Sequence, residues 1–175
     1  MEDDEREVAD MTGVEIPFTG VRLRFDSTRS FPSLVDALLA DVGRQPVPIE
    51  AIAERHDDWA SYEREVQDHV GPHGFMLFAS FDHGGWITKA GIDRQVRRII
   101  IGNPLIAITM IRHDVTAGLF APVELLLTEE DGGRSALTYV RPSSLMVVES
   151  NPPLLEAAVA LDTKLAALAA SITES

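Results

Sequence analysis

The chain has 175 residues, 45% apolar and 25% charged, the composition of one ordinary globular domain with a single core. Its formal charge of −13 opposes a phosphate backbone, so nucleic acid is not an expected partner, and the absence of cysteine removes disulfides, thiolate metal sites and cysteine nucleophiles. The lack of cysteine, an acidic rather than basic N-terminus and the lack of an apolar run of about 18 residues make a cytoplasmic protein with no membrane segment the expectation.

Glu2, Asp3, Asp4, Glu5, Glu7 and Asp10 crowd the first ten residues, so residues 1–17 are expected to form a solvated, disordered acidic tail and 18–175 the folded domain. Val21, Leu23 and Phe25 then alternate with Arg22 and Arg24, which predicts a strand with one buried face. After the turn at Asp26-Ser27-Thr28, Phe31, Leu34, Val35, Leu38, Leu39 and Val42 recur at helical spacing, with Pro32 in the first turn and Gly43 at the end.

Between about residues 45 and 74 the composition shifts. Pro46 and Pro48 break the chain, Ile49, Ile52 and Ala53 suggest a short helical turn, and Asp57-Asp58 can cap a helix from Trp59 to about Val70. This segment reads as a helical insertion packed over the core. Phe75 to Phe81 is an apolar run of strand length, buried on both faces if central, and Gly84 to Asp93 is ambiguous between turn and short strand.

Ile99-Ile100-Ile101 is a β-branched strand preceded by Arg97-Arg98, which read as a solvated edge, and it ends at Gly102. Asn103-Pro104 then opens a helix, as cap and first-turn proline. Residues 121–128 and 136–140 form two strands whose Asp131-Gly132 link is a hairpin signal. Asn151-Pro152 repeats the capping device before a final helix with Leu154, Ala158, Leu161, Leu165, Leu168 and Ile172 on one stripe.

The junction Ile99-Ile100-Ile101-Gly102-Asn103-Pro104, the later Ala121-Pro122-Val123-Glu124, the Asp131-Gly132-Gly133 hairpin and the proline turn at Pro142 before a terminal helix together resemble the bacterial and archaeal family called domain of unknown function 302. The resemblance covers roughly 75–171 and leaves the insertion 45–74 outside it. It implies an α+β fold, a two-layer α/β sandwich with a mixed sheet and helices packed on one face, and it implies a homodimer. It brings no catalytic residues. Arg141 stands where the family pattern leads one to expect an acidic residue before the proline, and His83-Gly84-Gly85-Trp86 is unfamiliar in its loop.

Four places can carry chemistry. Asp82 and His83 emerge together at the end of the apolar strand beside Gly84, Gly85 and Trp86, and an imidazole there suits general acid–base work. Glu124 lies in an apolar strand opposite the strand of Tyr139: if buried, its carboxyl would be raised into the range of a general base, while alternation can equally put it on the solvent face beside Leu126 or facing a dimer mate. Asn103 starts a helix whose amides favour an anion. Phe81 and Trp86, with Trp59, Tyr62, Phe75 and Phe78, offer an aromatic and apolar ligand lining, and Arg141 is a further ligand-binding candidate. His69 and His73 are four apart, but Gly71-Pro72 breaks the helix that would align them, so no metal is expected, and no phosphate-loop or dinucleotide motif calls for a cofactor.

Three functions fit these residues. The first is a dimeric, non-catalytic module binding an apolar or weakly polar small molecule between sheet and insertion. The second is a cofactor-independent acid–base enzyme (isomerase, cyclase or lyase) using Asp82, His83 or Glu124 with Asn103 or Tyr139. The third is an interaction subunit using the final helix and the acidic tail.

Overall fold

A computed structural model describes residues 13–174. The acidic run expected to form a tail falls largely on residues 1–12, outside the described residues. The first strand, β1 (Arg22–Ser27), turns Leu23 and Phe25 toward the core and Arg22, Arg24 and Asp26 away from it. Helix α1 (Phe31–Val42) is bounded as its sequence dictates: the Ser30 hydroxyl accepts from the Ser33 amide, Pro32 sits in the first turn, and Gly43 ends the helix at φ 96°.

The insertion contributes α2 (Ile49–Glu54) and α3 (Trp59–Gln67), the latter capped by Asp58. It leads into β2 (Met76–Asp82), and short helical turns follow at α4 (Gly84–Ile87) and at 88–90. The segment ambiguous in sequence is therefore helical. Next come β3 (Val96–Gly102), α5 (Pro104–Ile111), a 3₁₀ segment at 115–120, β4 (Val123–Glu130), the glycine turn at 131–133, and β5 (Arg134–Val140). A short α6 (Pro142–Met146) precedes α7 (Pro152–Thr173), whose expected apolar stripe is buried at all six positions.

The strands form one sheet in the order β1-β5-β4-β3-β2. The α+β architecture expected from the resemblance is present, but the sheet is antiparallel throughout rather than mixed. The reason is topological. β1 and β2 run in the same direction, joined by a crossover through α1, α2 and α3, yet they lie on opposite edges with three strands between them. No parallel pair can form.

Two further expectations change. β2 is an edge strand, not a central one; Met76 and Leu77 are still buried to opposite sides because the insertion covers one and the main core the other. The Val47 amide also bonds the Leu77 carbonyl at 2.9 Å, which occupies part of that free edge. Conversely, Arg97-Arg98 do not mark an edge, because β3 is paired on both sides.

The main core lies between α1 and α7 and one face of the sheet, where Leu34, Leu38, Leu161 and Leu165 meet Ile99, Leu125, Leu127 and Leu137. A second, smaller cluster joins Ile52 and Val66 of the insertion to Met76. The other sheet face is covered by the insertion at Met76 and open elsewhere, with a groove of about 700 Å³ over it.

Candidate functional site

Where the two apolar clusters meet, they do not fuse. The seam forms a half-open cavity of about 290 Å³ with an almost wholly apolar wall. Ile49 and Ala53 of α2 and Tyr62 of α3 form the insertion side, and Phe78, Ile106 and Met110 form the opposite one. Gly102 lies on the wall between them, and a β-carbon there would meet Phe78 at 2.7 Å and Pro122 at 3.1 Å. The absent side chain lets the Phe78 ring lie across the strand end.

The polar groups are few. Asn103 lines the cavity, but its amide is already engaged: Nδ2 donates to the Gly74 carbonyl and Oδ1 accepts from the Leu105 amide, both at 2.9 Å. It caps α5 and ties the end of the insertion to it. The Tyr62 hydroxyl is held above its ordinary pKa by burial and so stays a neutral donor. Glu50, the one charged side chain of the lining among the described residues, belongs to an exposed position. Such a chamber favours uncharged ligands and has no acid–base pair of its own.

The insertion wall is fastened in two places. Arg55 and His56 both bond the Glu65 carboxylate, joining the end of α2 to α3. These hydrogen bonds, that of His56 foremost, hold the Glu65 carboxyl below its usual range. His73 bonds Asp41 of α1 at 2.5 Å, and the Gly71 amide bonds the Phe75 carbonyl at 2.9 Å.

The residues expected to act together are spread over the molecule. Asp82 and His83 lie at the far end of β2 from the cavity, since Met76 pairs with Gly102 and Asp82 with Arg97, a span of roughly 20 Å. There Asp82 accepts from the Gly85 amide at 3.2 Å and His83 from the Trp86 indole at 3.3 Å, while Trp86 is 59% exposed. Phe81 is exposed beneath the Arg98 guanidinium.

Glu124 takes the solvent-facing alternative, exposed toward the open groove and bonded to Arg98. Alternation places Tyr139 on the opposite, helix-covered side, stacked on Phe25 with ring centroids 6.0 Å apart. Its hydroxyl is raised in pKa by burial and by the Asp162 charge, and it has no hydrogen-bond partner among the described residues. Arg141 precedes α6, with its amide donating to the Val21 carbonyl at 2.7 Å. Of the proposed aromatic lining, Tyr62, Phe75 and Phe78 reach the cavity, and Trp59 packs on Tyr62.

The residues that sequence reasoning missed are the small and aliphatic ones: Ala53, Gly102, Ile106, Ala107 and Met110. One signal was available. A glycine closing a run of three isoleucines marks a strand end where another group approaches closely. Among the described residues no three His, Asp or Glu side chains gather as a metal site, and no helix is long and apolar enough to cross a membrane.

A family model described as "Domain of unknown function DUF302" matches residues 52–172. The match begins inside α2, so the reading that left all of 45–74 outside the family pattern is corrected. Ile52, Val66 and Met76 share one buried cluster, which makes the insertion part of the fold and not an ornament on it. No curated protein matches the chain. Among solved structures, the crystal structure of an uncharacterized conserved protein DUF302 from Bacillus stearothermophilus is similar, with a TM-score of 0.60 at 16% identity over 86% of this chain and 97% of that one. At that identity the likeness speaks for the fold alone.

Proposed function

The chain belongs to the DUF302 family, and from that premise we propose that it is a small-molecule-binding module taking an uncharged, largely apolar ligand between its insertion and the end of its sheet. The observation that carries this reading is the cavity of about 290 Å³ at the seam of two cores. An apolar cavity of about 150 Å³ accommodates benzene, so this volume suits a ligand on the order of a dozen non-hydrogen atoms. Apolar walls supply the affinity, and the Tyr62 hydroxyl and Glu50 at the rim supply orientation.

The acid–base reading has less to stand on. Asp82 and His83 sit about a strand length from the cavity, Glu124 is spent on Arg98, and the Asn103 amide is spent on the backbone. The apolar stripe of α7, offered for a protein partner, is consumed by the chain's own core.

Native mass spectrometry of freshly purified protein tests the proposal, together with thermal shifts on adding small neutral aromatics. The wild type should carry an adduct that denaturation releases, or melt higher with such compounds. Ala107→Trp, which fills the cavity from α5, should abolish both while remaining folded. Neither adduct nor shift in the wild type, or equal binding by the filled variant, would remove the cavity from the function.

A further inference from the structure

We propose that the groove over the uncovered part of the sheet binds an amphipathic monoanion, a carboxylate on an aliphatic body, at a site separate from the seam cavity. The two share no lining residue. Register builds the groove. Arg24 lies opposite Thr138, Thr138 opposite Leu126 and Leu126 opposite Arg98, so one row across four strands runs cation, hydroxyl, aliphatic, cation. At about 4.8 Å per strand the two arginines are rooted roughly 14 Å apart, with Thr138 and Leu126 as the floor between them. Neighbouring rows add Val96 and Val140 to that floor, both half-buried, and Arg22 opposite Val140 at its edge. A sheet face that ends in water is filled mainly by polar side chains, whereas this one sets an aliphatic floor under cations.

Charge selects the head of the ligand. Arg22, Arg24, Arg94 and Arg98 line the groove with Glu124 and Glu130, and Asp26 borders it through Arg24 at 2.8 Å, four cations against three carboxylates. Glu130 takes Arg24 at 3.4 Å and Arg94 at 3.1 Å, and Glu124 takes Arg98. The side chains of Arg22 and Thr138 have no hydrogen bond or ion pair among the described residues. The paired arginines also keep donors in reserve. A guanidinium carries five N–H groups, and Arg24 and Arg98 each give their carboxylates only Nε and Nη2, which leaves Nη1. The acidic partners thus orient the guanidiniums without saturating them, and one negative charge balances the surplus.

The chain's total of −13 repels an anion at long range. At about 0.1 M salt that repulsion is screened beyond about 10 Å, so the groove's own cations decide the contact. The carboxylate takes the free N–H groups, the Thr138 hydroxyl and the charge of Arg22, and the tail covers Leu126, Val96 and Val140.

Titration of the isotope-labelled full chain with octanoate at about 0.1 M salt, followed by amide NMR, tests the site. Octanoate should shift Leu126, Thr138 and Val140 saturably, and should do so equally in Ala107→Trp, whose seam cavity is filled. Octanol and inorganic phosphate, which carry the tail or the charge alone, should bind there about tenfold more weakly or worse. Arg22→Gln changes an exposed side chain and should weaken octanoate about tenfold. Thr138→Glu, which sets a carboxylate between Arg24 and Arg98, should abolish binding in a chain that a thermal melt shows to be folded. No saturable shift with octanoate, equal binding of octanol or phosphate, unchanged affinity in Arg22→Gln, or shifts lost in Ala107→Trp would overturn the proposal. Groove shifts that follow protein concentration and not octanoate would overturn it too, because the occupant would then be another chain.

Discussion

Gly71 admits no side chain. A β-carbon there would lie 2.1 Å from the carbonyl oxygen of Asp41 and 2.9 Å from that of Phe75, and both are backbone atoms that cannot rotate aside. Gly71→Ala should therefore push the end of the insertion off α1 and cost about 2 kcal/mol or more, seen as a lower urea midpoint at unchanged slope. Tyr139 is the opposite case. Its buried hydroxyl lacks a partner among the described residues, so Tyr139→Phe should leave stability unchanged or raise it by up to about 1 kcal/mol; a loss of that size would mean the hydroxyl is satisfied. Single residues were legible only where local chemistry decides them. Asn103 and Asn151 read as caps before prolines, and both side chains accept from the amides of their own helix starts. Gly71 read as a helix terminator, since nothing local reveals which carbonyl passes over it. The face of Glu124 stayed open for a similar reason: an apolar run in a strand covered on one face does not say which parity faces water.

Elements were legible where periodicity and caps agree. α1 and α7 follow their stripes, and the hairpin follows its glycines, Gly132 and Gly133, at φ 75° and 73°. The helical turns at 84–90 and 115–120 escaped because each is too short to show a period. The insertion lies between these extremes: its two helices could be read, but not the Glu65 clasp that joins them. That clasp gives the segment an acid-sensitive anchor. Glu65 has a lowered folded pKa, so its contribution is complete above the unfolded value of about 4.3 and is lost as pH falls through the folded one. In a Trp86→Phe background, Trp59 fluorescence should report loosening of the insertion below about pH 4. Glu65→Gln should be less stable than its parent near neutrality, and the gap should close on acidification. A gap that stays constant with pH would show that the carboxylate charge does not hold the clasp.

At the scale of the whole molecule, strand order was the illegible quantity. Alternation assigns each residue to a face but names no neighbour, and Leu23 comes to lie opposite Tyr139 only because the crossover from β1 spans the full sheet.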